Sequence, residues 1–257
     1  MTTQPAFILI RENPQYPQNP RSHWRLACHQ LLTITMLRLL KRKMAARIRQ
    51  ALEKHWIAAG QHVPKYELQE KHFAHLKAVG NRQKLLELLP KNGEVAELGV
   101  YRGDFSALIL EITAPAKLHL VDTWEQKDLR TLVEQKFAPE IITGQVALHA
   151  GLSTAVADDF AEDYFDWIYI DTDHSYNTTK AELEKYSHAI KPNGIIAGHD
   201  FIVGNWNGSV KYGVIEAVYE FCVRHDWEII YLTMEQNEYP SFAIRRLLES
   251  TLNSPQS

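Results

Sequence analysis

The feature that most constrains the fold is a regular alternation of strand-like and helix-like segments between residues 94 and 247. Short apolar runs rich in β-formers are each followed by an amphipathic helical pattern. This alternation predicts parallel strands connected by helices that cover both faces of one sheet. The last two strand patterns, 227–233 and 241–247, are too close for a helical crossover. The sequence therefore predicts an α/β fold with a doubly wound, mostly parallel sheet that closes on an antiparallel strand.

The individual segments follow one another without a visible repeat. The predicted strands are 94–100, 117–124, 145–150, 165–171, 194–200, 227–233 and 241–247, and the predicted helices between them are 104–113, 127–138, 153–160, 177–190 and 212–225. Upstream, 44–58 and 65–89 have helical patterns, with a break at Gly80. We therefore divide the chain into a basic N-terminal extension with a helix (1–60), a helical lead-in (61–90), the α/β domain (91–250) and a tail (251–257).

Composition narrows the class of protein. An apolar fraction of 45% and a charged fraction of 23% are typical of a globular domain. The net charge of -3 gives no electrostatic reason to expect nucleic acid as a partner. Cys28 and Cys222 are far apart and form no metal or redox motif, which suits a reducing compartment such as the cytoplasm. The oligomeric state stays open between a monomer and a homo-oligomer.

The positive charge is concentrated near the N-terminus. Residues 13–52 contain no acid and eight basic residues: Arg21, Arg25, Arg38, Lys41, Arg42, Lys43, Arg47 and Arg49. The apolar stretch 26–40 lies among them and is shorter than the roughly 20 residues that span a bilayer. Two interpretations remain: a helix that packs on the protein, and a helix that lies on a membrane surface.

Acids and histidines follow two of the predicted strands. The strand 165–171 leads into Asp171, Asp173 and His174, and the next strand ends in His199 and Asp200. Ligands of open α/β sheets bind outside the carboxyl ends of the strands, so both groups should face one crevice. If His199 and Asp200 are both extended, their side chains point to opposite sides. At most one of that pair would then contact a bound metal directly.

A second group of candidates lies at the first two strands. Residues 97–103, "ELGVYRG", join a strand to a helix, and Gly99 and Gly103 permit close approach of a ligand to the backbone. The loop is not the dinucleotide fingerprint, because Tyr101 replaces its second glycine. Asp122 ends the second strand, where an acid can bind the hydroxyls of a ribose. Trp124 either borders an adenine or covers the core.

Four motifs in register resemble a known family. "VAELGVYRGDFS", "HLVDTW", "IYIDTDHSY" and "KPNGIIAGHDF" are similar in order and spacing to class I S-adenosylmethionine-dependent methyltransferases. The resemblance extends over roughly residues 80–248 and is greatest to the metal-assisted small-molecule O-methyltransferases, of the macrolide-sugar (macrocin) and catechol types. It implies a Rossmann-like sheet of seven strands with the last one antiparallel, and it makes 91–250 the methyltransferase domain.

The resemblance also implies the contacts of S-adenosylmethionine. The methionine part would lie among Glu97, Gly99, Gly103 and Ser106, the ribose at Asp122, and the adenine near Gly151, Leu152 and Ser153, with Trp124 and Asp171 also beside the cofactor.

In the metal-using relatives, polar residues at the ends of the strands that correspond to 165–171 and 194–200 bind a divalent cation. The corresponding positions here are Asp171, His199 and Asp200, and the carboxylates favour Mg²⁺. His199 departs from the usual acid or amide, so it either shifts preference toward Mn²⁺ or Zn²⁺ or acts as a base. We expect His174 or His199 to accept the proton of the acceptor.

The implied acceptor is a hydroxyl on a sugar, a glycan or another small metabolite. The N-terminal helices and the segment 201–213 would form its pocket, with Trp206 and Tyr212 as aromatic walls.

Two other functions fit part of the sequence. A metal-dependent hydrolase would use the Asp and His residues but leave Glu97 and Asp122 without a role. A non-catalytic protein would keep only the nucleotide crevice.

Overall fold

A computed structural model describes residues 35–54, 63–205, 210–235 and 239–247. Trp206, Cys28 and the residues before position 35 lie outside these ranges. The chain forms two compact units, Met1–His55 and Trp56–Ser257. In the first unit, residues 35–54 form helix α1. Among the described residues, no helix is both long enough and apolar enough to cross a membrane.

The second unit is built on one sheet. Its strands are β1 (Lys77–Val79), β2 (Glu94–Leu98), β3 (Lys117–Asp122), β4 (Val146–Ala150), β5 (Phe165–Ile170), β6 (Ile190–Gly198), β9 (Trp227–Thr233) and β10 (Phe242–Arg246), and a separate small hairpin consists of β7 (Gly204–Asn205) and β8 (Val210–Lys211). The eight strands of the sheet lie in the order β1-β9-β10-β6-β5-β2-β3-β4. All pairs are parallel except those of β10, which runs antiparallel to both β6 and β9. The predicted fold class, a Rossmann-like, mostly parallel sheet with an antiparallel strand at the end, is confirmed.

Helices cover both faces of the sheet. They are α2 (Arg82–Leu88), α3 (Asp104–Thr113), α4 (Lys127–Lys136), α5 (Ala138–Ile142), α6 (Ser153–Val156), α7 (Tyr176–Tyr186) and α8 (Val214–His225). One core cluster contains Leu183 of α7 and Phe221 of α8, and a second contains Leu85 of α2 and Ile109 of α3. Since adjacent residues of a strand point to opposite faces, six strands contribute side chains to both clusters: β2, β3, β5, β6, β9 and β10.

The structure corrects the sequence interpretation upstream of the domain. Residues 65–89 were expected to be helical, but Lys77–Val79 pairs in parallel with β9 and adds an eighth strand at the edge of the sheet. Only α2 and a single turn at Glu70–His72 are helical in this stretch. A strand of three residues is too short to show a period of two, and its pairing with β9 is a tertiary effect.

Candidate active site

The candidate site lies at the carboxyl ends of neighbouring parallel strands. β5 lies between β2 and β6, and the hydrogen-bond ladder continues past its last residue. The backbone N–H of Asp171 donates to the carbonyl of Leu98 at 2.7 Å, and that of His199 donates to the carbonyl of Ile170 at 2.9 Å. Asp171 therefore lies between the loop that follows β2 and the two polar residues that follow β6.

The loop between β2 and α3 is held by Asp122. One carboxylate oxygen of Asp122 accepts hydrogen bonds from the backbone N–H groups of Val100 (2.8 Å) and Tyr101 (2.9 Å), and the other accepts from the N–H of Trp124 (2.8 Å). Gly99 has a φ of 89°, and a Cβ atom there would lie 2.0 Å from the carbonyl oxygen of Asp171. The glycine is thus required for contact between the two loops, in a conformation that other residues rarely adopt.

Glu97, the last residue but one of β2, is a fully buried acid. Its carboxyl accepts a hydrogen bond from the Ser106 hydroxyl of α3. Burial raises the pKa of Glu97 to about 8, with the negative charge of Asp171 acting in the same direction and the hydrogen bond from Ser106 opposing it. A cationic group bound beside Glu97 would favour the ionised carboxylate. The carboxyl is therefore suited to the ammonium or sulfonium of a cofactor.

These loops enclose a cavity of about 750 Å³. Most of the residues predicted to bind the cofactor line it: Glu97, Gly99, Asp122, Trp124, Gly151, Leu152, Ser153 and Asp171. The indole Nε1 of Trp124 is buried without a hydrogen-bond partner, so it is available to a ligand. Two other residues predicted to bind the cofactor lie behind the side chains that line the cavity. Gly103 packs close to Phe137, and the side chain of Ser106 is fully buried against Glu97.

Other lining residues were not foreseen from the sequence. Arg82, the first residue of α2, lines the cavity with its guanidinium carbon 4.9 Å from the ring centroid of Phe105. Thr172 lines the cavity and donates a hydrogen bond to the buried Glu182 of α7, which also accepts one from Ser153. Sequence patterns carry no signal for such residues, because their approach to the cavity depends on the order of strands and helices in space.

Three side chains at the ends of β5 and β6 form a group that could hold a metal. Asp171, His174 and Asp200 each present one ligand atom, and these atoms lie within 4.8 Å of one another. Nδ1 of His174 lies 3.0 Å from Oδ2 of Asp200. Nδ1 of His199 lies 3.3 Å from the same oxygen and 3.7 Å from Oδ1 of Asp171. The polar residues that follow the strands 165–171 and 194–200 therefore do meet. The group whose ligand atoms lie within 4.8 Å of one another contains His174 and not the predicted ligand His199.

The backbone at Asp200 does not meet the condition under which His199 and Asp200 would point to opposite sides, namely that both are extended. Asp200 instead has a φ of 56° and His174 a φ of 60°, both in the left-handed region. β6 ends at Gly198, and the turn at Asp200 brings its carboxylate to the same side as the ring of His199. Strained residues of this kind concentrate at functional sites.

The charges of the group are strongly coupled. Burial by itself lowers the pKa of His199, but hydrogen bonds to Asp171 and Asp200 outweigh it and raise the pKa to about 9. The pKa of His174 is also raised, since Asp200 outweighs the effect of burial. Burial opposes ionisation of Asp200, yet the two histidines hold its pKa well below the usual range. The site therefore favours cations beside its carboxylates.

Asp173 takes a structural role. Its carboxylate accepts hydrogen bonds from the backbone N–H of Ser175 at 2.9 Å and from the hydroxyl of Thr178 at 2.8 Å. Ser175 caps α7 by accepting from the N–H of Thr178. This local network supports the view, left open by the sequence, that Asp173 helps to start the helix.

Comparison with known proteins points to a methyltransferase domain, as the sequence motifs do. Residues 96–201 match the model of a family described as a methyltransferase domain. A candidate rRNA-methylase from Clostridium thermocellum has a TM-score of 0.51 and 15% identity, over 66% of this chain and 98% of that one. The pyocyanin biosynthetic protein PhzM has a TM-score of 0.50 and 11% identity, over 64% of this chain and 53% of its own. This chain thus spans about half the length of PhzM. No curated protein sequence matches it significantly.

By their family match, their fold and the cavity at the strand ends, residues 96–201 form a methyltransferase domain. These findings support S-adenosylmethionine-dependent methyl transfer and set the hydrolase interpretation aside.

Proposed function

We propose that the enzyme transfers a methyl group to a hydroxyl of a sugar or another small metabolite, with the help of a divalent cation. The proposal rests on the position of Asp171, which belongs to two neighbouring sites. Its side chain lines the cofactor cavity, and it also belongs to the group with His174 and Asp200. A hydroxyl held at that group would lie beside the reactive end of the cofactor.

The residues fit a divalent cation. Two carboxylates and one imidazole are a donor set suited to Mg²⁺ or Mn²⁺. Oδ1 of Asp200 is buried without a hydrogen-bond partner, which leaves one acceptor atom of the group unused. Asp171, His174 and Asp200 would hold the ion. A bound cation supplies Lewis acidity, which lowers the pKa of a hydroxyl and fixes its orientation.

The protein itself supplies orientation and a route for the proton. S-adenosylmethionine supplies, when bound, an electrophilic methyl group on a sulfonium. Asp122 and Gly99 fix the shape of the cavity wall, and so they help to position the bound cofactor. With His174 as a ligand of the ion, its ring cannot also accept a proton. His199, whose Nδ1 lies 3.3 Å from Oδ2 of Asp200, is therefore the candidate to receive the acceptor proton.

An aromatic side chain supports a sugar or a ring-bearing metabolite as acceptor. The ring centroid of Tyr212 lies 4.9 Å from that of His174, and the backbone N–H of Gly213 donates to the carbonyl of His174 at 2.9 Å. The segment after β6 is thereby attached to the polar group. The apolar face of a sugar ring packs well on such an aromatic side chain.

The proposal is tested with metal-stripped protein in three measurements: calorimetric binding of S-adenosylhomocysteine, binding of Mn²⁺, and turnover on a panel of sugars, catechols and amines. We expect metal-dependent methylation of a hydroxyl acceptor. Asp200→Ala, which removes the ligand oxygens, should abolish Mn²⁺ binding and reduce turnover by about 100-fold or more, since even the loss of a group that only orients a ligand costs 10–100-fold, while cofactor binding persists.

Asp158→Ala is the matched control, since Asp158 is an exposed acid paired with Lys185 on the protein surface. It should behave as the wild type. Methylation of amines only, or full turnover without metal, would contradict the proposal but leave the assignment as a methyltransferase intact.

A further inference from the structure

Helix α1 carries a stripe of exposed apolar side chains. Met36, Leu40, Met44 and Ile48 follow one another at intervals of four, and between 53% and 61% of each is exposed. Residues four apart lie on the same face of a helix. At 1.5 Å per residue the helix is about 30 Å long, so the stripe is a continuous apolar surface open to solvent.

The helix also carries a strong positive charge. Within residues 35–54 there are seven basic side chains and a single acid, Glu53: Arg38, Lys41, Arg42, Lys43, Arg47, Arg49 and Lys54. At 100° per residue, Arg38, Arg42 and Arg49 fall on the face opposite the stripe, and Lys41 and Lys43 fall beside it. Arg47 and Lys54 fall on the side of the stripe itself. Long basic side chains can extend their charged ends away from an apolar surface that their stems cover.

We propose that α1 lies along the surface of an anionic phospholipid membrane and recruits the enzyme to it. The apolar stripe enters the boundary between headgroups and acyl chains, and the flanking basic side chains contact lipid phosphates and carboxylates. A membrane surface satisfies both features at once, since helices with one apolar and one basic face bind in this way.

Other occupants satisfy only one of these features. A second copy of α1 would cover the apolar stripe but would bring two strongly basic surfaces together, without acids at the flanking positions to pair them. A nucleic acid would neutralise the charge but leave the apolar stripe exposed to water. The charge pattern therefore favours the lipid surface.

The test is co-sedimentation of the full-length protein with vesicles. Vesicles of phosphatidylcholine alone are compared with vesicles that also contain phosphatidylserine, at low and at high salt. We expect binding to the anionic vesicles, little binding to the neutral ones, and a marked loss at high salt because surface charges are then screened. Arg38→Gln combined with Arg42→Gln and Arg49→Gln should weaken binding to anionic vesicles by about tenfold or more.

A second variant tests the stripe separately. Leu40→Ser combined with Met44→Ser should weaken binding to a similar degree, because the apolar contribution is lost. The matched controls, Ile142→Ser and Lys127→Gln, remove an exposed apolar and an exposed basic side chain from the methyltransferase unit and should not change binding. Affinity for S-adenosylhomocysteine should be the same in every variant, which shows that each is folded.

Three results would overturn the inference: no binding to anionic vesicles, equal binding to neutral vesicles, or loss of binding in the controls as well. Formation of a dimer that depends on Leu40 and Met44, detected by analytical ultracentrifugation in the absence of lipid, would assign the stripe to a second copy of the chain instead. Preferential binding to RNA in competition with the vesicles would also contradict it.

Discussion

Asp122 combines two roles at the end of β3. Its carboxylate accepts three backbone hydrogen bonds and also lines the cofactor cavity. We predict that Asp122→Asn lowers affinity for S-adenosylhomocysteine by about tenfold or more, because hydrogen bonds to a charged group are each worth about 1.5–3 kcal/mol. The amide nitrogen of the substituted side chain would also face one of the backbone N–H groups that now donate to the carboxylate, so that two donors would oppose each other. Isothermal calorimetry measures the affinity.

Asp128→Asn is the control for this substitution. Asp128 is an exposed acid in the first turn of α4, so its loss removes a nearby charge without touching the loop. Wild-type affinity in Asp122→Asn would show that the carboxylate serves the loop alone or has no part in binding.

Gly99 provides a prediction about backbone geometry. Gly99→Ala would place a methyl group 2.0 Å from the carbonyl oxygen of Asp171, at a φ of 89°. We expect a loss of stability of about 2 kcal/mol or more, from the strained backbone and the clash. Gly80→Ala is the matched substitution, since a Cβ there meets no atom within 4 Å. Urea unfolding compares the two, and equal stability would refute the geometry.

At the scale of elements, β3 and β4 share a pair of histidines, of which His119 is buried and His149 half-buried. Nδ1 of His119 lies 2.8 Å from Nε2 of His149, and Nε2 of His119 lies 2.9 Å from the hydroxyl of Tyr164. Burial, followed by the charge of His149, lowers the pKa of His119 to about 4. The folded protein thus keeps His119 neutral at a pH where the unfolded chain protonates it.

This pair predicts a pH dependence of stability. The folded pKa of His119 lies below its value of 6.5 in the unfolded chain, so the unfolded state binds more protons between the two values. The contribution of His119 to the free energy of unfolding should be complete above pH 6.5. As the pH falls toward 4, up to about 3 kcal/mol of it should be lost, at 1.36 kcal/mol for each unit by which the two pKa values differ. Urea unfolding across this range measures the free energy.

His119→Phe separates this contribution from those of the other titrating groups. The ring fits a site already bordered by Phe160 and Phe165, and it cannot be protonated. The variant is expected to be less stable at neutral pH, since it loses two hydrogen bonds, but to depend less on pH. An unchanged slope would mean that His119 titrates normally in the folded protein.

At the scale of the whole molecule, the methyltransferase unit contains its own core. Every member of both buried clusters lies beyond residue 55, where the chain divides into two units. We predict that a chain beginning at Trp56 keeps its cooperative thermal transition and its affinity for S-adenosylhomocysteine. Circular dichroism and calorimetry measure these quantities. Loss of the cooperative transition would show that residues 1–55 are needed for folding.

The same truncation bears on the membrane proposal. Removal of α1 should abolish binding to anionic vesicles while leaving affinity for S-adenosylhomocysteine unchanged, since no described residue of the cofactor cavity lies before Arg82. The two functions would then be separable. Vesicle binding that survives the truncation would place the lipid contact in the methyltransferase unit.

The sequence by itself determined the class of fold and predicted the main residues of the candidate site. Period-two and helical patterns, with the close spacing of β9 and β10, predicted the parallel sheet and its antiparallel strand, because these patterns report which faces are buried. Glu97, Asp122 and Asp171 were identified because polar residues directly after apolar strands lie at the ligand-binding edge of such a sheet.

Only the tertiary structure decided how these residues meet. The position of β5 between β2 and β6 gives Asp171 its two neighbours, and the left-handed turn at Asp200 turns its carboxylate toward His174 and His199. Strand order and positive φ angles have no local pattern, since they depend on contacts between segments far apart in the chain. For the same reason the edge strand β1 and the approach of Arg82 to the cavity were visible only once the chain was folded.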